Sequence, residues 1–139
     1  MTDRGLNFPA GTPFLALSQT ELRRVAGECI TAPLWMRVWL LALADANRIG
    51  HAEFAPGDLQ ARLGAKVNPN TGAVVAVSPQ AVSNAVRTCK QHQLITPESG
   101  TRCLVLSHHL AQKAGHGTRS CRRHGIFVHE AHELHEGQK

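Results

Sequence analysis

The 139-residue sequence predicts a mainly helical α+β domain with a small β-hairpin, and three observations lead there. Apolar residues recur at helical spacing over about 19–30, 34–46 and 78–92. The extended stretches beside them are only a few residues long and are bounded by Gly, Pro and Asn. Finally, 139 residues with 42% apolar content suit one hydrophobic core rather than a multidomain enzyme. A core of this size folds without needing a disulfide or a metal as a prop.

The elements follow in order. Residues 1–17 carry Pro and Gly without periodicity and read as a flexible lead-in. Ser18 and Glu21 have the spacing of a capping box, and Leu22, Val25, Ala26, Cys29 and Ile30 then form one apolar stripe, so a helix is expected at about 19–30. Thr31 and Pro33 open a second helix, Leu34 to Ala46, apolar almost all round and therefore central to the core. Asn47 to Gly50 stop it. His51 to Phe54 alternate like a short strand, and Pro56-Gly57-Asp58 start a two-turn helix that carries Leu59 and Leu63 and ends at Gly64. Residues 65–77 hold Asn68-Pro69-Asn70-Thr71-Gly72 between two extended runs, a hairpin or ordered loop. Ser78-Pro79 then cap a helix to about 92, with Ala81, Val82, Ala85, Val86 and Cys89 on its buried face. Leu94-Ile95, a turn at 96–100 and a strand at 102–106 make a second hairpin.

Helix, helix, short strand, short helix, polar-striped helix, hairpin is the element order of a winged helix-turn-helix domain, here spanning 18–107. The region from about 31 to 107 also resembles winged helix-turn-helix DNA-binding proteins of actinobacteria and their phages, of the replication-initiator and regulator kind. That resemblance rests on Phe54-Ala55-Pro56-Gly57-Asp58-Leu59, on Asn70-Thr71-Gly72, and on Val77-Ser78-Pro79-Gln80-Ala81-Val82-Ser83-Asn84-Ala85-Val86-Arg87. It implies DNA binding through the last of these segments. The 13 residues at 65–77 exceed the about 3 or 4 of a tight helix-turn-helix.

Charge placement points the same way. Fifteen Lys and Arg against ten Asp and Glu give a net +5, which favours polyanionic partners. Opposite its apolar face, the helix at 78–92 carries Gln80, Ser83, Asn84 and Arg87 at i, i+3, i+4, i+7. Gln and Asn pair bidentately with adenine, Arg with guanine and Ser with either, so this stripe is matched to major-groove base edges. Ser78, Thr88, Lys90 and Gln91 flank it as phosphate contacts, and Arg102, Arg62 and Lys66 are expected to add more from the wing, the short helix and the loop after it. Arg23, Arg24 and Arg37 read as surface charges. Only four Phe and two Trp occur, with no Tyr, too few for a single-strand binder built on stacking.

Residues 108–139 form a C-terminal extension. Four cysteines occur without a Cys-x-x-Cys pair, which argues against a thioredoxin-like site. Cys103, His109, Cys121 and His124 instead make a Cys2His2 set of the kind that tetrahedral Zn2+ prefers, able to pin the extension as far as about 125 as a structural site. His109 is preferred over His108 and His116 because it matches a His at the same offset from Cys103 in the resembling sequences. The tail, Val128 to Glu136, repeats His-Glu with period three and lacks the His-Glu-x-x-His of a zinc protease. No phosphate loop and no nucleophile elbow occurs, so no enzyme is expected.

The function expected is sequence-specific binding of double-stranded DNA by a transcriptional regulator. A replication or partition initiator on origin DNA and a protein-interaction adaptor with the same fold are the alternatives. A homodimer is compatible with the Leu22, Val25 and Cys29 stripe. With no apolar run near the roughly 20 residues of a membrane span and no basic, apolar leader at Met1 to Gly5, the expected place is the cytoplasm, on the nucleoid.

Overall fold

A computed structural model of the chain describes residues 6–115 and 117–127. Its elements are α1 (Gln19–Glu28), α2 (Leu34–Asp45), β1 (His51–Glu53), α3 (Asp58–Leu63), β2 (Ala65–Val67), β3 (Val74–Ala76), α4 (Pro79–Gln91) and β4 (Cys103–Val105). No helix among the described residues is long and apolar enough to cross a membrane. The His/Glu-rich tail lies outside the described residues.

The helices begin where the caps predict. Ser18 accepts from the Glu21 amide at 3.2 Å and Ser78 from the Ala81 amide at 3.1 Å, each satisfying a backbone donor that the first turn leaves open. Pro79 sits at the start of α4, where its missing N–H costs nothing. α2 is the central rod: Val38, Leu41 and Ala42 are fully buried against Ala26 of α1 and against Val82, Ala85, Val86 and Cys89 of α4. The core is completed by Phe54, Leu59, Leu63, Val77, Ile95, Leu104 and Leu106.

α1 is shorter than its periodicity predicts. It stops at Glu28, and Cys29 is an exposed cap residue rather than part of the buried stripe. The turn at 68–72 forms as expected and joins β2 to β3 in an antiparallel hairpin, with Ala65 opposite Ala76.

The second hairpin forms in part, and one correction concerns the further partner of β4. β4 pairs antiparallel with β1, His51 opposite Val105 and Glu53 opposite Cys103. The segment at 94–96 lies along the other edge of β4, with a bridge of Ile95 to Leu106, a bond from the Thr96 amide to Val105 O at 2.8 Å and one from the Ser107 amide to Leu94 O at 3.2 Å. Pro97 has no amide to extend that ladder, and Ser99 Oγ accepts the Val105 amide at 2.9 Å where a strand carbonyl would otherwise sit.

Arg37 requires another. It is fully buried, not a surface charge. Arg24 is a surface charge as expected, paired with Glu21 and Glu28, and Arg23 pairs with Asp45.

Candidate metal centre and nucleic-acid face

Side chains on a strand alternate between faces, and directly opposed residues share a face. On the β1–β4 pair, Ala52 and Leu104 therefore point into the main core, while His51, Glu53, Cys103 and Val105 point the other way. The C-terminal extension covers that second face. Cys121, Val105 and Cys103 form a small separate cluster with Ile49 and Ile126.

The extension is held there by named bonds. The Arg48 amide donates to Thr118 O at 2.9 Å, and Asn47 Nδ2 donates to Ser120 O at 2.8 Å. Asn47 Oδ1 accepts from the amides of Ile49 and His51, which ties the entry of β1 to the same residue. Cys121 and Ile126 exchange both backbone bonds at 2.7 and 2.8 Å, closing a tight loop over Arg122 to Gly125. Gly125 has φ +69°, a turn conformation that glycine adopts without strain.

Four metal-ligating side chains meet on this face: His51, Cys103, Cys121 and His124, their donor atoms all within 4.8 Å of one another. Cys103 Sγ lies 3.5 Å from Cys121 Sγ and 3.5 Å from His51 Nδ1, and Cys121 Sγ lies 3.4 Å from His124 Nδ1. A tetrahedral ion with bonds of about 2.3 Å to sulfur and about 2.0 Å to nitrogen sets its donors roughly 3.3–3.8 Å apart, so these separations fit one. The surroundings fit too. The His124 amide points at Cys121 Sγ at 3.4 Å, an orientation that favours thiolate, and His124 Nε2–H donates to Glu98 O at 3.0 Å, which leaves Nδ1 with its lone pair for a metal. Burial, with His124 beside it, lowers the pKa of His51. Burial and the neighbouring Cys121 thiol push that of Cys103 far up, so both are neutral in the absence of a cation. The group could bind a metal ion.

Three of the four predicted ligands are thus together, and His109 is corrected to His51. Beyond Leu106 a turn built on Ser107, whose carbonyl accepts from the amides of Leu110 and Ala111, leaves His108 and His109 exposed. The β1–β4 register brings His51 in instead. The sequence signal was the alternation of His51 to Phe54, but the pairing partner of that strand was not readable from it.

On α4 the outward stripe stands as drawn from the sequence. Gln80, Ser83, Asn84 and Arg87 are all exposed, while Val82, Ala85, Val86 and Cys89 are buried. Gln80 Nε2 donates to Asn84 Oδ1 at 3.0 Å, and Arg87 Nη1 donates to the same oxygen at 3.3 Å, so three of the four side chains are aligned into one polar row. Ser78 is exposed at the capped end, Thr88 Oγ1 donates to Asn84 O, and Lys90 sits in the last turn. A shallow groove of about 400 Å³ beside the row is lined by Lys66, Trp35, Ser78, Gln80, Asn84 and Thr88, which brings Lys66 next to α4.

Of the remaining two cations, Arg62 and Arg102, only the first departs from expectation in its surroundings. Arg62 pairs with Asp45 and with Asp58, and its guanidinium lies 5.4 Å from the Phe54 ring centre, so its charge is already matched within the fold. Arg102 is exposed and donates from Nε to Phe54 O at 2.9 Å, which anchors it at the base of the turn. The chain matches no protein-family profile, no curated protein and no solved structure.

Proposed function

We propose that this chain is a winged helix-turn-helix domain that binds double-stranded DNA in a sequence-specific way, acting as a transcriptional regulator. One observation carries the reading: a 13-residue amphipathic helix, α4, turns an aligned row of Gln80, Asn84 and Arg87 to solvent while its other face is locked in the core. These are the side-chain types that read adenine and guanine edges, on a rod of the right width for the major groove. The order α2, β1, α3, α4, β4 supports the winged-helix assignment, with β4 between β1 and the 94–96 segment as a wing sheet requires. Lys66, Ser78, Ser83, Lys90 and Arg102 surround the row as backbone contacts; Arg62 is left out because its charge is paired.

The four-residue cluster enters the same reading as a structural Zn2+ site. Two thiolates and two imidazoles in a closed tetrahedral set suit zinc, and the ion would tie β1, β4 and the C-terminal loop together. The purified full chain is expected to carry about one zinc per molecule; less than a few tenths by elemental analysis removes zinc from the reading.

The decisive experiment is selection of bound duplexes from a random pool with wild type and with Arg87→Ala. Wild type should enrich a defined site. Arg87→Ala should lose preference at one base pair, at a cost of about 1–3 kcal/mol. A pool that stays unenriched overturns the proposal. Footprints on promoters rather than on origin repeats separate a regulator from an initiator.

A further inference from the structure

We infer that the Cys121-Arg122-Arg123-His124 loop is a second contact with the DNA backbone, held in place by the metal, so that duplex affinity depends on metal occupancy. This rests on the DNA-binding reading of α4 and deepens it by naming a second surface and what controls it.

The wing turn by itself is poorly equipped to hold DNA. Between Leu94 and Leu106 it contains one cation, Arg102, and one acid, Glu98. The metal loop makes up the difference. His124 bonds the carbonyl of Glu98, so the loop sits against that turn. Arg122 and Arg123 lie between the two ligands Cys121 and His124 and are both exposed. Neither has an ion-pair partner among the described residues, in contrast to Arg23, Arg24 and Arg62. The backbone of the pair is fixed at Arg122, whose amide donates to Glu53 Oε1 at 3.0 Å and whose carbonyl accepts from the Gly125 amide at 3.3 Å, while both residues are exposed.

The connection is short as well: α4 ends at Gln91, and Glu98, whose carbonyl His124 bonds, lies seven residues further along the chain. Two arginines without an ion-pair partner among the described residues, on a turn that sits against the wing, are suited to phosphate rather than to bases. Their placement depends on the metal because Cys121 and Ile126 are the only apolar anchors the loop offers to its small cluster.

The test measures binding of the full-length chain by fluorescence anisotropy to a wild-type-selected duplex and to an unrelated one, across a salt series, with zinc measured in every sample. Arg122→Ala/Arg123→Ala should retain its zinc and its ratio of affinities for the two duplexes. It should bind both roughly 60-fold more weakly at 0.1 M salt, with a log–log salt slope shallower by about 1.8, the effect of two lost phosphate contacts. Chelating zinc from wild type, with helix content followed by circular dichroism, should reproduce most of that loss, and chelation should add little to the double variant. Arg87→Ala should do the reverse, losing discrimination while keeping the zinc effect. An unchanged slope in the double variant overturns the inference and leaves the α4 reading intact. Sequence-blind binding by wild type that falls in the double variant overturns the α4 reading and leaves the loop contact standing. A wild-type protein that binds neither duplex overturns both.

Discussion

Arg37 is a buried charge with no ion-pair partner among the described residues. Its guanidinium donates to four carbonyls: Ala26 and Gly27 at the end of α1, Leu63 at the end of α3, and Ala65 at the start of β2, at 2.7–3.3 Å. Helix ends leave carbonyls without partners and carry partial negative charge, so one cation satisfies two helix ends and a strand start at once. Burial lowers its pKa, but a guanidinium stays protonated and its planar fork suits several acceptors. Arg37→Met keeps the volume and abandons the carbonyls. We expect it to lower the unfolding free energy by about 3 kcal/mol or more in urea titrations, with Arg37→Lys recovering only part; an unchanged midpoint rules the role out. The cysteines separate just as sharply. Burial pushes the Cys89 thiol up to about 12, so about one molecule in ten thousand is thiolate there at pH 8, and Cys89 Sγ is bonded to Trp35 O. Cys29 is exposed. Iodoacetamide on zinc-loaded protein should alkylate Cys29 alone, with Cys103 and Cys121 joining after chelation because the loop that buries them then comes loose, and Cys89, in the main core, only on unfolding; peptide mass mapping reads this directly.

At the scale of elements, the turn that leads into β4 is held by a side chain as much as by a ladder. Ser99 is 3% exposed, and its Oγ takes the Val105 amide on the edge of β4 that faces the 94–96 segment. Ser99→Ala leaves that amide buried and unpaired, an expected cost of about 1–3 kcal/mol, and the Val105 amide should lose hydrogen-exchange protection before its neighbours in β1 do. A protected Val105 amide in the variant would show that another group takes the bond. This dependence also explains what could and could not be read ahead of the structure. The helices were legible because each is a local pattern: Ser78-Pro79 with Val82, Ala85, Val86 and Cys89 contains its own start and its own buried face. The end of α1 was not, since Cys29 fits the apolar period and only the tertiary fit leaves it outside. The pairing of β4 with β1 was not legible either. Three-residue strands carry too little pattern to reveal a second partner about 50 residues away beside the neighbour in sequence, and that pairing is what brings His51 rather than His109 to Cys103. Cys103, Cys121 and His124 were legible from residue type and the short Cys121 to His124 spacing.

On the scale of the whole molecule, the described residues form two hydrophobic clusters of unequal size that share the β1–β4 pair as a wall. The larger one joins α1, α2, α3, α4 and the core face of the wall, and its members include neither Cys103 nor Cys121. The smaller consists of Cys103, Val105 and Cys121 with Ile49 and Ile126 against them, too little apolar surface to hold a segment of some 20 residues without regular structure. Metal ligation is the term that can make up the deficit, because binding to a site that exists only in the folded arrangement adds directly to its stability. The two clusters should therefore come apart in order. In Cys121→Ser, or in wild type after chelation, amide exchange at Cys121 or its replacement and at Ile126 should become fast, and limited proteolysis should cut within 108–127. The amides of Val82, Val86 and Cys89 should stay protected in the same samples. Simultaneous loss of protection in α4 and in the loop would mean that the extension is part of the main folding unit and that the wall between the clusters does not divide them.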